Sequence, residues 1–151
     1  MLLGARSHCA GVRRALTERP RHVPLRVVLI DEDRTFTAIY KRLLEVADIE
    51  VLIADDGQAG LELVAAVLPD VVVLDLALTD MSGLDVLAGL KAVESTRHIA
   101  VGILDANSSK STMMLCHALG AIGYLAKTLI SPKMLARLLR AWAAESRTPD
   151  C

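Results

Sequence analysis

Apolar residues in this chain fall into two kinds of run, and the two kinds alternate. Short, nearly unbroken aliphatic runs occur at Leu25–Ile30, Ile49–Ala54, Val71–Leu74, Ile99–Leu104 and Ile122–Leu125. A continuous apolar run of four to six residues is what a strand buried on both faces looks like, so these five stretches predict strands. Between them the spacing changes to three and four. Phe36, Ile39, Tyr40, Leu43 and Leu44 form one helical stripe. Leu61, Leu63, Val64, Val67 and Leu68 form a second, which Pro69 stops, and Leu84, Val86, Leu87, Leu90 and Val93 a third. A fourth helix is expected over Met113, Met114, Leu115 and Leu119, entered through the turn and cap residues Asp105 to Ser109 and closed at Gly120. The last opens on Ser131 with Pro132 in its first turn and carries Leu135, Leu138, Leu139 and Trp142 on one face.

Five strands alternating with five helices predict one α/β domain, a parallel sheet with helices on both faces. Right-handed crossovers leave few topologies, and the flavodoxin-like, doubly wound order 2-1-3-4-5 is a common one for five strands. Its switch point lies between the first and third strands. That order places Asp31 and Glu32 beside Asp75 at one sheet edge, with Asp105 and Lys127 on the same rim.

Composition narrows the setting. The chain of 151 residues is 53% hydrophobic but only 3% aromatic, so one aliphatic core is expected and two domains are not. Residues 1–24 carry a net charge of +4 and residues 25–151 a net of −5. The first segment therefore reads as a basic, disordered arm, residues 25–145 as the folded domain, and residues 146–151 as a frayed tail. No apolar run has the length of a membrane span, and the first residues lack the apolar core of a secretory signal, which predicts a cytoplasmic protein. Cys9, Cys116 and Cys151 are odd in number and widely spaced, so neither a disulfide framework nor a zinc site is expected.

The chemistry expected of the rim follows from its residue types. Asp31, Glu32 and Asp75 offer hard oxygen ligands, which suit Mg²⁺ because that ion takes a few carboxylates and keeps positions for water and a phosphoryl oxygen. Lys127 adds a cation for a phosphoryl group held at Asp75, and phosphoryl transfer asks mainly for positioning and charge neutralisation. Asp75 would then be the nucleophile, forming an acyl phosphate.

From about Leu25 to Ala144 the chain resembles the receiver domain of bacterial two-component response regulators, with its chemotaxis-type fold. The matching pieces are the acidic pair in Val-Val-Leu-Ile-Asp-Glu-Asp, Asp75 with Gly83 eight residues later, and Gly-Ala-Ile-Gly-Tyr-Leu-Ala-Lys ending at Lys127. The resemblance implies that Asp75 is the phosphoacceptor, that Asp31 and Glu32 hold Mg²⁺ together with Asp75 and the backbone carbonyl of Ala77, and that Lys127 contacts the phosphoryl group. Tyr124 is implied as the aromatic switch residue. The implied donors are a sensor histidine kinase or a phosphotransfer protein. With seven residues after Ala144, output is expected by protein contact through the fourth helix, fifth strand and fifth helix, around Met113, Tyr124 and Trp142, onto a target protein or a second copy. No enzymatic output, membrane contact or direct nucleic-acid binding is expected.

Three positions depart from the family pattern. Asp105 stands where a Thr or Ser hydroxyl usually meets the phosphoryl group, and an ionised carboxylate there accepts hydrogen bonds without donating any. It would repel a phosphoryl oxygen, bind metal, take up a proton, or point away while Ser108 or Ser109 acts. Thr79 and Thr128 replace prolines common after Asp75 and after the lysine. Asp105 supports an alternative reading as a pseudo-receiver, an interaction module that works without phosphate. A further alternative rests on Asp31-Glu32-Asp33-Arg34-Thr35, which fits the start of haloacid-dehalogenase-type phosphatases with Asp31 as nucleophile and Asp33 as general acid. That reading leaves Asp75 unexplained. The Met113/Met114 pair is expected to fill core, and Trp142 to pack the last helix.

Overall fold

A computed structural model of the chain describes residues 23–107 and 109–147. The expected arm, up to residue 22, lies outside the described residues, as do Ser108 and residues 148–151 of the tail. The elements run β1 (Leu25–Ile30), α1 (Arg34–Val46), β2 (Ile49–Ala54), α2 (Gly57–Val67), β3 (Val71–Leu74), α3 (Gly83–Ala92), β4 (Ala100–Asp105), α4 (Lys110–Ala118), β5 (Gly123–Ala126) and α5 (Pro132–Ser146). All strand pairs are parallel and their order is β2-β1-β3-β4-β5, as the alternation predicts.

Each helix opens on a short polar side chain that satisfies an otherwise unpaired backbone N–H. Asp33 caps α1, Asp56 caps α2, Ser82 caps α3, Ser109 caps α4 and Ser131, followed by Pro132, caps α5. Strand residues then divide between two cores. Val27, Leu29, Val71 and Val73 face Leu44 of α1 and Leu135, Leu139 and Trp142 of α5. Val28, Ile30, Val72 and Leu74 face Val64, Val86, Leu87 and Cys116 from α2, α3 and α4. Both faces of the sheet are covered, which is why the strands read as unbroken apolar runs.

The fourth and fifth strands each sit one residue further on than their apolar runs suggest. The ladder pairs Asp105 with Ala126, and the Lys127 amide donates to Asp105 O at 2.8 Å, so Asp105 ends β4 rather than following it. Trp142 is buried as expected, in a slot floored by Gly102 and Gly123, neighbours on β4 and β5. It therefore cannot belong to the contact surface on which it was expected. Met113 and Met114 reverse in the other direction: Met114 is 64% exposed, and among the described α4 residues only Cys116 is buried. In α1, Ile39 and Leu43 are also exposed, because the sheet takes only the Leu44 side of a wider apolar stripe. At the C-terminal end α5 continues through Ser146, and Arg147 pairs with Asp70 at 2.9 Å, where fraying was expected. No helix among the described residues is long and apolar enough to cross a membrane.

Candidate functional site

Parallel pairing of Ile30 with Leu74 ends β1 and β3 together, so the next residue of each strand, Asp31 and Asp75, emerges at the same sheet edge. Their backbones still belong to the ladder: the Asp31 N–H donates to Ala54 O at 3.0 Å and the Asp75 N–H to Ile30 O at 2.9 Å. That fixes two carboxylates side by side, 1% and 6% exposed. Lys127, at the end of β5, sets its Nζ 2.6 Å from Asp31 Oδ2 and 3.3 Å from Asp75 Oδ2. The second oxygens are held by backbone amides two residues on, Asp31 Oδ1 by Asp33 N at 2.9 Å and Asp75 Oδ1 by Ala77 N at 3.1 Å.

Burial raises the Asp75 carboxyl above the usual carboxylate range; the Ala77 amide opposes this, Asp31 adds to it, and Lys127 opposes it again. For Lys127 burial works downward, but the close approach and charge of Asp31 and the charge of Asp75 outweigh it and hold the ammonium above its ordinary value. A raised carboxyl gives a stability contribution that is present below the unfolded pKa and lost as pH rises through the folded one. Ionised Asp75 therefore costs stability at neutral pH. Asp75→Asn is expected to raise stability at pH 7, with the gain shrinking towards pH 4, measured by urea midpoints.

Glu32 behaves differently from its neighbours. Its Oε2 accepts from the Thr79 hydroxyl at 2.9 Å, which draws it to the loop between β3 and α3. Among the described residues no three Asp, Glu, His or Cys side chains are gathered as a metal cluster. The buried pair still suits a hard cation. Two carboxylates face one ammonium, and the wholly buried Asp31 Oδ2 accepts no well-aligned hydrogen bond beyond its ion pair.

The β3–α3 loop is itself tied down. Asp80 accepts from the backbone amides of Gly57 and Gln58, each at 2.9 Å, capping α2 from across the loop, and these amides hold its carboxyl below the usual range. Gly83 is needed for close approach: a Cβ there would lie 2.7 Å from Asp75 O and against the Leu76 backbone. The Gly83 amide donates to Leu76 O at 3.1 Å, closing the loop directly behind Asp75.

Asp105 is buried, at 5% exposure, and its Oδ2 accepts from the Tyr124 hydroxyl at 2.8 Å; Asn107 O lies 3.0 Å from the same hydroxyl. Of the arrangements open to it, the carboxylate thus takes a protein partner, Tyr124. Burial first, then the bond to Asp105 and its charge, push the Tyr124 phenol far up, so it stays a donor. Tyr124 also lines an open surface pocket of about 430 Å³, together with Met113, Met114, Cys116, His117 and Ala121 among others. Asp33, the general acid of the phosphatase reading, is spent as the α1 cap, its Oδ1 accepting from Phe36 N at 3.0 Å.

Some of this was not foreseen. The Thr79–Glu32 bond, the Asp80 cap and the Tyr124–Asp105 bond join residues far apart in sequence. The stacking of Phe36 on Tyr40 had a visible signal, since they sit four apart on one helix face.

A doubly wound sheet whose switch point carries two buried carboxylates and a lysine from its far strand defines a signalling domain of the chemotaxis type rather than a dehalogenase-type phosphatase. The response regulator receiver domain family model matches residues 27–139, and the chain belongs to that family. Among its relatives, the transcriptional regulatory protein CpxR of Escherichia coli (strain K12) is 33% identical over 113 residues, covering 75% of this chain and 47% of the relative. The response regulator MprA of Mycolicibacterium vanbaalenii is 34% identical over 128 residues, covering 85% of this chain and 54% of its own. The chain thus spans about half the length of these curated relatives. Among solved structures, a response regulator receiver domain protein from Clostridium thermocellum superposes with a TM-score of 0.75 at 28% identity, covering 82% of this chain and 97% of that one.

Proposed function

We propose that the domain accepts a phosphoryl group on Asp75 from a sensor histidine kinase or phosphotransfer protein in the cytoplasm, and signals by protein contact. The observation that carries this reading is the placement of a buried nucleophile at the tip of β3 with the Lys127 ammonium 3.3 Å away. An Asp75 carboxylate oxygen attacks phosphorus; the bond from phosphorus to the donor's nitrogen or oxygen breaks, and its electron pair leaves with the donor. Lys127, already shared between Asp31 and Asp75, moves towards the new phosphoryl oxygens, where its charge is most needed. Asp31 and Asp75, the Ala77 carbonyl and Glu32 turned away from Thr79 would hold Mg²⁺, which when bound neutralises phosphoryl charge.

Output then runs through Tyr124 and the exposed side of α4 and β5, onto a downstream protein or a second copy. The Asp105–Tyr124 bond favours a second reading. It gives Tyr124 a resting partner that needs no phosphate, as a phosphate-independent interaction module would require. The two readings separate chemically. Label from acetyl phosphate and Mg²⁺ is expected to be released by hydroxylamine, because an acyl phosphate carbonyl is open to a nitrogen nucleophile. Label that survives would be a Ser or Thr ester and would contradict Asp75, while absence of label would favour the second reading.

A further inference from the structure

We propose that Phe36 and Tyr40 of α1 are positioning residues for Lys127, holding its ammonium over the carboxylate pair; this rests on the phosphoacceptor reading for its consequence, though not for its geometry. The problem these residues answer comes from the sheet order. Between β5 and β1 lie β4 and β3, three strand spacings or about 14 Å, which is more than a lysine side chain spans. Yet Lys127 Nζ reaches Asp31 at the end of β1. The lysine stem, the ion pair and the Asp31 side chain therefore have to bridge the gap together, which requires the loop after β5 to aim Lys127 along the sheet edge.

Two contacts from α1 hold it there. The Tyr40 hydroxyl donates to Ile130 O at 2.9 Å, three residues beyond Lys127. Burial raises the Tyr40 phenol, which keeps that donor protonated. Phe36 stacks on Tyr40 with ring centroids 4.2 Å apart, and Lys127 Nζ lies 4.4 Å from the Phe36 centroid. The ammonium thus has two carboxylates on one side and an aromatic face on another, at a distance where a cation is attracted to the ring. Such a face attracts without fixing direction. It lets the ammonium shift from Asp31 towards Asp75 without returning to water, which a hydrogen-bond acceptor in its place would resist. The chain has only four aromatic residues, one Phe, two Tyr and one Trp, and two of them stand at this point. Packing alone asks for an aliphatic side chain here, as it does nearly everywhere else in the molecule.

The test uses the full chain and two readouts. In ¹H–¹³C spectra with labelled lysine, assigned through a Lys127→Arg variant, the ring current of Phe36 is expected to displace the Lys127 ε-protons upfield from those of the other lysines, and Phe36→Leu to remove the displacement. Labelling by acetyl phosphate and Mg²⁺ is expected to slow about three- to thirtyfold in Phe36→Leu, and to recover in Phe36→Trp, which restores a ring face. Tyr40→Phe keeps the stack but frees Ile130, and is expected to slow labelling less. An undisplaced Lys127 resonance in the parent would overturn the proposal, as would Phe36→Leu labelling at the parent rate. A displaced resonance in a parent that takes no label would support the positioning and remove the phosphoacceptor reading instead.

Discussion

Replacing Lys127 with Met is expected to cost about 3 kcal/mol of stability at pH 8 and much less at pH 4. The substitution keeps an apolar stem against Phe36 and removes only the charge, leaving Asp31 and Asp75 facing each other across the vacated position. Two carboxylates close enough to share one ammonium repel by about 3 kcal/mol at an effective dielectric near 20. Losing one partner of a buried ion pair carries a penalty of the same order. The pair will lower that cost by taking up a proton: burial already holds the Asp75 carboxyl above the usual carboxylate range, the Asp31 charge adds to this, and losing Lys127 removes a charge that opposes it. Such a shift supplies stability below the unfolded pKa and loses it as pH rises, which sets the sign of the pH dependence. Urea midpoints of Lys127→Met and parent across pH 4 to 8 check it. Adding Asp31→Asn to Lys127→Met should recover most of the loss at pH 8, and equal penalties at both ends of the range would contradict the account.

The second large effect lies away from the carboxylates. Gly102→Ala is expected to destabilise by about 2 to 3 kcal/mol, although alanine ordinarily serves a strand interior better than glycine. The reason is Trp142. A Cβ on Gly102 would enter its six-membered ring, and one on Gly123 would lie 2.6 Å from Cζ2. These two glycines pair across β4 and β5, so together they make a shelf for the indole against the sheet. Trp142→Leu alone should also destabilise, by opening a cavity. In the double variant, thermal or urea unfolding should show Gly102→Ala costing far less, because its collision is gone. Additive losses would mean that the indole does not rest on the shelf.

The same contrast runs through what could be read from the residues alone. Both faces of the sheet are covered, so the strands announced themselves as unbroken apolar runs, and their alternation with helical stripes led to the observed order. Asp31, Asp75 and Lys127 were legible for a related reason: each follows directly on an apolar strand, and chain order is enough to bring those strand ends to one edge. Side-chain direction was less accessible. Asp105 has several partners within reach of its strand end, and only the placement of the Tyr124 hydroxyl, 19 residues away, decides among them. Likewise, Met113 and Met114 look like core by hydropathy, but the sheet-facing side of α4 is supplied by Cys116. The slot for Trp142 needed the register of two strands, for which two glycines inside strands were the available sign.

The proposed function requires Asp75 to take a phosphoryl group in spite of the neighbouring Asp105. Intact-mass spectrometry after incubation with acetyl phosphate and Mg²⁺ addresses it most directly, with Asp75→Asn and Asp105→Thr alongside. A single phosphoryl increment is expected on the parent and on Asp105→Thr, and none on Asp75→Asn. An increment that persists in Asp75→Asn, or one that appears only on Asp105→Thr, would contradict the account.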